Sequence, residues 1–341
     1  MLLRALKALG LFDLTRKMTR ADVRILCYHS AWRGEDGFPG DSMFILPETF
    51  AARLAMIRRL GFPVITLDEA VDGLAGRRPL PPAPVVITID DGWFGTCAHL
   101  APELHRQGMP ATLYCDTESL LAGLPLAHVM VRYLRRIHCA NKTLSPEAEA
   151  AYRRALDMGS DSSRESRLEA AHTFAACAGI DLEPYLQRRV FAYMNADELR
   201  ETQALGLSVQ LHAHRHSLHQ FSPQEIEDEI RLNRDALSAL LDQPPSTFRH
   251  FCYPSGITAT AATKTLRALG ISSATTLVDG LAGVDDLPLL LPRVLDGDHL
   301  SAIEFEAELF GIGTLLRALH PRLHRAAPEP SVAVHKPKMA G

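Results

Sequence analysis

Short apolar runs rich in β-branched residues alternate along this chain with longer stretches in which apolar positions recur every three or four residues. The runs "VRILCYH" (23 to 29), "PVITL" (63 to 67), "VVITID" (85 to 90), "ATLYCD" (111 to 116), "SVQLHAH" (208 to 214), "FRHFCYP" (248 to 254), "ISSATT" (271 to 276) and "LLLPRVL" (289 to 295) predict strands. Between several of them, "PETFAARLAMIRRLGF", "TCAHLAPELHRQGM", "SPQEIEDEIRLNRDALSALL" and "TATAATKTLRALG" carry the helical period. Strand and helix in alternation predict a parallel sheet or barrel. The rhythm breaks between about 125 and 205, where Ala, Arg, Glu and Leu dominate, and this predicts an all-helical insertion that could act as a lid.

The two ends differ from the body. Residues 1–22 place Leu2, Leu3, Leu6, Leu9 and Phe12 on one side of a predicted amphipathic helix, which could pack on the domain or rest on a membrane surface. Arg4, Lys7 and Asp13 interrupt its apolar run and no small-residue cleavage site follows, so it does not read as an export signal. No stretch is long enough to span a bilayer. The last residues, 326–341, within "RAAPEPSVAVHKPKMAG", are expected to be disordered, leaving 23–325 as the domain.

Composition narrows this only a little. A chain of 341 residues can bury a large core, as one α/β domain or two smaller ones. A formal net charge of −4 gives no basic excess for a nucleic-acid partner. The six cysteines lack the close pairs of a zinc ribbon and the density of a disulfide scaffold, which fits a reducing, cytoplasmic setting, with membrane contact open through the N-terminal helix.

Candidate chemistry collects where strands end, the place at which parallel α/β folds gather their ligands. Asp90 and Asp91 stand side by side after "VVITI", although like charges repel and one Asp would suffice as a helix cap. Something positive should face them. Another strand end, "LHAHRHSLH", holds His212, His214, His216 and His219. His212 and His216 are four apart, so a helical turn there would put both imidazoles on one face. Two imidazoles and a carboxylate with open positions make a catalytic zinc layout, while a histidine-rich loop can also be only a solvated turn.

These residues resemble motifs of the polysaccharide deacetylases, the NodB-homology group of carbohydrate esterase family 4. Thr88-Ile89-Asp90-Asp91-Gly92 is similar to the family's Thr-Phe-Asp-Asp-Gly, and His212-Ala213-His214-Arg215-His216 to its His-Thr/Ser-x-x-His. Cys252-Tyr253-Pro254-Ser255-Gly256 is similar to its Pro-Tyr-Gly turn, "ILCYHSAW" to its Leu-x-Tyr-His opening, and "LPRVL" to its late Leu-Pro-Arg segment. The likeness spans roughly 23 to 125 and 205 to 296 and leaves the insertion unexplained. It implies an α/β fold, a distorted (β/α)7 barrel of TIM-like type, and removal of N-acetyl groups from amino sugars of a glycan. It further implies Asp91, His212 and His216 as ligands of a divalent metal, Zn2+ first and Co2+, Mn2+ or Ni2+ as alternatives. Asp90 then stands as general base, and a backbone N–H of the Pro254-Ser255 turn, beside Tyr253, as oxyanion donor.

Departures matter as much. No late Leu-x-His motif follows Arg293, so His29 becomes the candidate general acid, with His299 behind it. Arg293 could orient Asp90 or form only a surface ion pair. Trp93 could stack on a sugar ring or pack in the core. Arg132, Arg135 and Arg136 in the insertion could rim an acidic-glycan groove or only solvate a helix. Two other functions stay open: a non-haem iron enzyme on the same His/His/Asp set, or a deacetylase-like protein that only binds glycan.

Overall fold

Strand β1 (Arg24–Tyr28) is buried at every position, as expected of a strand with helices outside and side chains filling a barrel inside. In the computed structural model, which describes residues 1–35, 40–157, 163–218, 220–258 and 260–319, it opens a closed barrel. After a short side pair, β2 (Ser30–Ala31) with β3 (Phe44–Ile45), the barrel continues through β4 (Val85–Ile89), β5 (Ala111–Cys115), β6 (Leu207–Leu211), β7 (His250–Cys252), β8 (Ser273–Asp279) and β9 (Leu291–Leu295). All its pairings are parallel, from Arg24↔Val85 at the first seam to Leu26↔Val294 at the closing one. The seven strands match the (β/α)7 expectation.

One predicted strand is not part of the barrel. Of "PVITL", only Val64 bridges to Val85. Pro63 has no N–H to give a ladder, and Thr66 is withdrawn as the N-cap of the helix Leu67–Leu74, closing a capping box with Glu69. Too few residues remain to make a strand.

The N-terminal segment is two helices rather than one, α1 (Leu2–Ala8) and α2 (Leu11–Met18). Gly10 adopts φ 74° between them and breaks the run. Phe12 is buried against Phe310, with ring centroids 5.4 Å apart, and Arg16 lies over the Phe62 ring while donating to the Leu60 and Gly61 carbonyls. Between β5 and β6 come the helices Ala127–Cys139, Pro146–Leu156, Arg164–Ala178, Glu183–Gln187 and Ala196–Ala204. Their end is clamped to the barrel mouth. Phe94 N–H donates to the Ala192 carbonyl at 2.9 Å and Met194 N–H to the Gly92 carbonyl at 3.0 Å, so this segment walls the loop that carries the Asp pair. The C-terminal tail, residues 320–325 and His219 lie outside the described residues.

Candidate metal centre at the barrel mouth

Asp90 and Asp91 leave β4 in different directions because Asp91 takes φ 76°, a left-handed conformation that costs a non-glycine residue energy. Gly92 follows at φ 105°, where a Cβ would stand 2.8 Å from the Cys115 sulfur. The two carboxylates thus face different partners. This resolves the like-charge problem of the sequence.

Asp90 meets the expected cation. Arg293 reaches from β9 and donates Nη1 to Oδ1 at 2.8 Å and Nη2 to Oδ2 at 2.7 Å, a bidentate pair with both side chains buried. The guanidinium is itself fixed by Nε donating to the Thr276 carbonyl at 2.8 Å and Nη1 to Thr88 Oγ1 at 3.1 Å. Burial alone would push the Asp90 pKa up. The charge and hydrogen bonds of Arg293, helped by His212 and His29, overcome it and hold the value down to about 2. Asp90 is therefore ionised at neutral pH, with reduced base strength. The thiols of Cys27 and Cys252 sit 3.6 and 3.4 Å from its Oδ2. Burial raises the Cys27 pKa well above that of an ordinary thiol, so it is no nucleophile.

Asp91 faces the histidines. Its Oδ1 is 3.1 Å from His212 Nε2 and 3.1 Å from His216 Nε2, and its Oδ2 accepts from Trp93 Nε1 at 2.7 Å. No helical turn brings the imidazoles together. Residues 212–216 are an irregular loop in which Ala213 (φ 64°) and His216 (φ 54°) are left-handed, and the ring centroids end 4.8 Å apart. His212 Nδ1 donates to the Cys252 carbonyl at 2.8 Å, which makes Nε2 the nitrogen turned to Asp91.

Among the described residues, donor atoms of three residue groups converge closely enough for an ion: Asp91 with His212 and His216, Asp90 with His212 and Cys252, and Cys27 with His29 and Asp90. The two groups containing Asp90 would put a cation beside the buried Arg293 guanidinium, where like charges repel strongly at low dielectric. The Asp91 group carries no such conflict and has its tautomer already set. It fits a divalent metal with nitrogen and oxygen ligands and open positions.

Beneath the loop lies a layer absent from the sequence reading. The helix Pro223–Leu241 buries Glu229 and Asn233, one turn apart on a face with Ile226, Ile230 and Leu237. Asn233 Oδ1 accepts the His212 N–H at 2.9 Å while its Nδ2 donates to the Cys115 carbonyl at 3.0 Å. Glu229 Oε2 accepts the N–H groups of His214 and Arg215 at 3.0 and 2.8 Å. Two polar residues at i, i+4 inside an apolar stripe were the available signal.

The other candidates separate. His29 stands at the end of β1 with Nδ1 3.1 Å from the Ser42 carbonyl, and one of its nitrogens lies within 4.8 Å of both an Asp90 oxygen and the Cys27 sulfur. His299 is on an exposed turn after β9. Trp93 is 1% exposed and packed between Tyr193 and Phe44, with centroids at 4.8 and 5.7 Å. Stacking on a sugar is therefore corrected to a positioning contact with Asp91. Tyr253 is also buried, with its ring edge-on to Phe251, and Pro254 is buried, so Ser255 (φ 54°) is the exposed residue of that turn. Gly256 N–H donates to the Tyr253 carbonyl and Pro254 has no N–H, which leaves the Ser255 N–H as the turn's open donor among the described residues. Of the two readings of the insertion arginines, solvation of a helix fits Arg135 and Arg136. Arg135 pairs with Glu149 at 3.3 Å and covers the Tyr152 ring, and Arg136 pairs with Asp41 at 3.2 Å.

Asp296, one residue past β9, offers a pH test of the frame. Burial raises its pKa to about 6, against the opposing influence of Arg53 and of the Tyr28 hydroxyl, which donates to it at 2.9 Å. A folded pKa above the unfolded one of about 3.9 adds stability below that value, and this is lost as pH rises through about 6. Urea melts should show the stability of the wild type relative to Asp296→Asn falling as pH climbs from about 4 to about 7, by on the order of 2 kcal/mol. A flat difference would contradict the assignment.

Comparison with known proteins shows what the chain is similar to. The sequence model of the polysaccharide deacetylase family matches residues 171–274, a span that holds His212, His216 and the Pro254 turn. Over that span the chain is similar to polysaccharide deacetylases. No curated protein matches it in sequence. Among solved structures, the deacetylase PplD of Streptococcus pyogenes in complex with acetate is similar at 18% identity and TM-score 0.58, covering 85% of this chain and 99% of that one. IcaB from Ammonifex degensii is similar at 20% identity and TM-score 0.55, covering 85% and 97%. The deacetylase domain of BpsB from Bordetella bronchiseptica follows at 18% and 0.52, covering 81% and 96%. These neighbours share the barrel fold with this chain. The family match does not extend to the Asp pair, which the barrel brings to the histidines.

Proposed function

We propose that this protein is a metal-dependent hydrolase that removes N-acetyl groups from amino sugars of a polysaccharide. One observation carries the reading: Asp91, His212 and His216 converge on a point beside a second carboxylate, Asp90, that Arg293 holds ionised. Asp91 Oδ1 and the two Nε2 atoms would hold a divalent ion, Zn2+ first by ligand type, with Co2+, Mn2+ or Ni2+ compatible. Such an ion supplies Lewis acidity, lowering the pKa of water and polarising an amide carbonyl.

The chain's own groups carry the proton transfers. Asp90 Oδ2 is taken up by Arg293 and the two thiols, while Oδ1 gives one lone pair to Arg293 and keeps another, so the carboxylate can take the proton that water sheds as it adds to the acetyl carbon. Ser255 N–H, the open donor of its turn, would donate to the oxyanion that forms. Breaking the C–N bond then requires a proton on the departing nitrogen, and His29 beside Asp90 is the group to give it. Its Nδ1, facing the Ser42 carbonyl, orients the ring. Acetate and a free amine result. The acetate complex reported for the Streptococcus pyogenes deacetylase of this fold agrees with that product.

His29 near Asp90 speaks against a protein that only binds glycan, because it fills the place of the missing late acid. A parallel barrel also departs from the β jelly rolls usual for non-haem iron oxygenases. Acetate release from N-acetylglucosamine oligomers is expected to stop on chelation and return with added Zn2+, whereas chelator-insensitive release would overturn the reading. His29→Ala should slow amide hydrolysis by about 100-fold or more while sparing an activated ester, whose leaving group needs no proton. Equal loss on both substrates would assign His29 a structural role, and His299→Ala should change neither.

A further inference from the structure

We infer that the N-terminal helices form a docking surface for an anionic lipid bilayer. Of the eleven large hydrophobic side chains that stand exposed among the described residues, five belong to the first eighteen residues: Met1, Leu2, Leu9, Leu14 and Met18. Leu9 is 76% exposed and Met18 65%. These residues do not face the core. Leu3, Leu6 and Phe12 already pack inward, so each short helix spends one apolar side on the barrel and presents a second to solvent. Leu2 and Leu9 lie seven apart along one line of α1, and Leu14 and Met18 lie four apart on α2.

Charge selects the occupant. Residues 1–20 carry Arg4, Lys7, Arg16, Lys17 and Arg20 against Asp13 alone, in a chain whose formal net charge is −4. Lys7 is engaged with Glu306 and Arg16 with the backbone at 60 and 61, while Arg4, Lys17 and Arg20 are exposed. Basic and apolar side chains interleaved on short helices are the surface that inserts at the headgroup boundary of an anionic membrane. A second copy of this chain would present the same positive charge and be repelled across a two-fold contact. The catalytic mouth stays open. The C-terminal end of α2 adjoins the N-terminal ends of the strands, where Arg24 of β1 donates to the Thr19 carbonyl at 2.7 Å and Ala83 N–H, before β4, donates to the Arg20 carbonyl at 2.6 Å. Asp91 and His212 stand at the opposite strand ends. The inference rests on this surface and not on the deacetylase reading.

Co-sedimentation of the full chain with vesicles tests it. At about 0.15 M salt the protein should bind vesicles of about 30% phosphatidylglycerol in phosphatidylcholine at least about tenfold more tightly than pure phosphatidylcholine vesicles. Arg4→Glu with Lys17→Glu and Arg20→Glu, and separately Leu9→Glu with Met18→Glu, should each abolish that binding with an unchanged circular dichroism spectrum. No sedimentation with either vesicle, or equal binding to both, would overturn the inference from the wild type alone, even if a variant failed to fold. A dimer in analytical ultracentrifugation that Leu9→Glu with Met18→Glu dissociates would overturn it in favour of a face between protein copies.

Discussion

His212→Ala is expected to lose bound metal and acetate release together, with a barrel that still folds. The imidazole is one of three donors around a single point, and its Nε2 is aimed by a hydrogen bond from Nδ1 to the Cys252 carbonyl. Weakening even an outer partner of a metal ligand costs about 10–100-fold in affinity, so removing the ligand itself should cost more. The fold should survive because the neighbouring anchors belong to the backbone. The His212 N–H still donates to Asn233, and Glu229 still ties down the next two N–H groups of the loop. Metal content by mass spectrometry of purified protein, read beside acetate release, checks it. Full occupancy in the variant would remove His212 from the ligand set.

Much of the barrel was legible because most of its strands are buried runs bounded by turn residues, and burial on both faces leaves an apolar signature that one sequence displays. "PVITL" shares that signature and still fails as a strand. Its outcome depends on a capping box three residues wide and on a proline, details that an apolar count passes over. The kink at Gly10 escaped for a related reason, since one glycine in a seemingly continuous helical period reads as tolerated.

At the site, the residues whose side chains do the chemistry were visible because unusual types sit next to each other in sequence: two adjacent carboxylates, and two histidines four apart. Of what positions them, only Arg293 was named, as one of two readings. Trp93 could be read as a sugar platform or as core, and burial against Tyr193 and Phe44 makes it core with its Nε1 turned towards Asp91. Glu229 and Asn233 come from a helix far along the chain, and the Cys252 carbonyl is backbone, which no residue type announces. The double-Asp puzzle did forecast a cation facing the pair. Which arginine provides it depends on closing β1 against β9, and that closure brings residue 293 over residue 90.

Asp90→Asn is expected to keep the metal and lose turnover by about 100-fold or more, the usual contribution of a general base. Asn preserves size and one hydrogen-bond acceptor for Arg293, but its amide cannot take a proton from water. Metal retention follows because Asp91, not Asp90, faces His212 and His216. The same change removes the negative partner of a buried guanidinium, and an uncompensated buried charge costs on the order of 3–5 kcal/mol. The variant should therefore also melt earlier, and its turnover must be counted per folded molecule. The two effects separate in Arg293→Met with Asp90 kept. There the carboxylate loses its orienting cation and its pKa rises from about 2 towards the range that burial favours. Stability should again suffer, but Asp90 gains base strength wherever it stays ionised, so the acid limb of the turnover profile should move to higher pH. A base explains both results. If Asp90→Asn kept wild-type turnover per folded molecule, the Arg293 pair would be a structural clasp, and proton removal would fall to a group outside it.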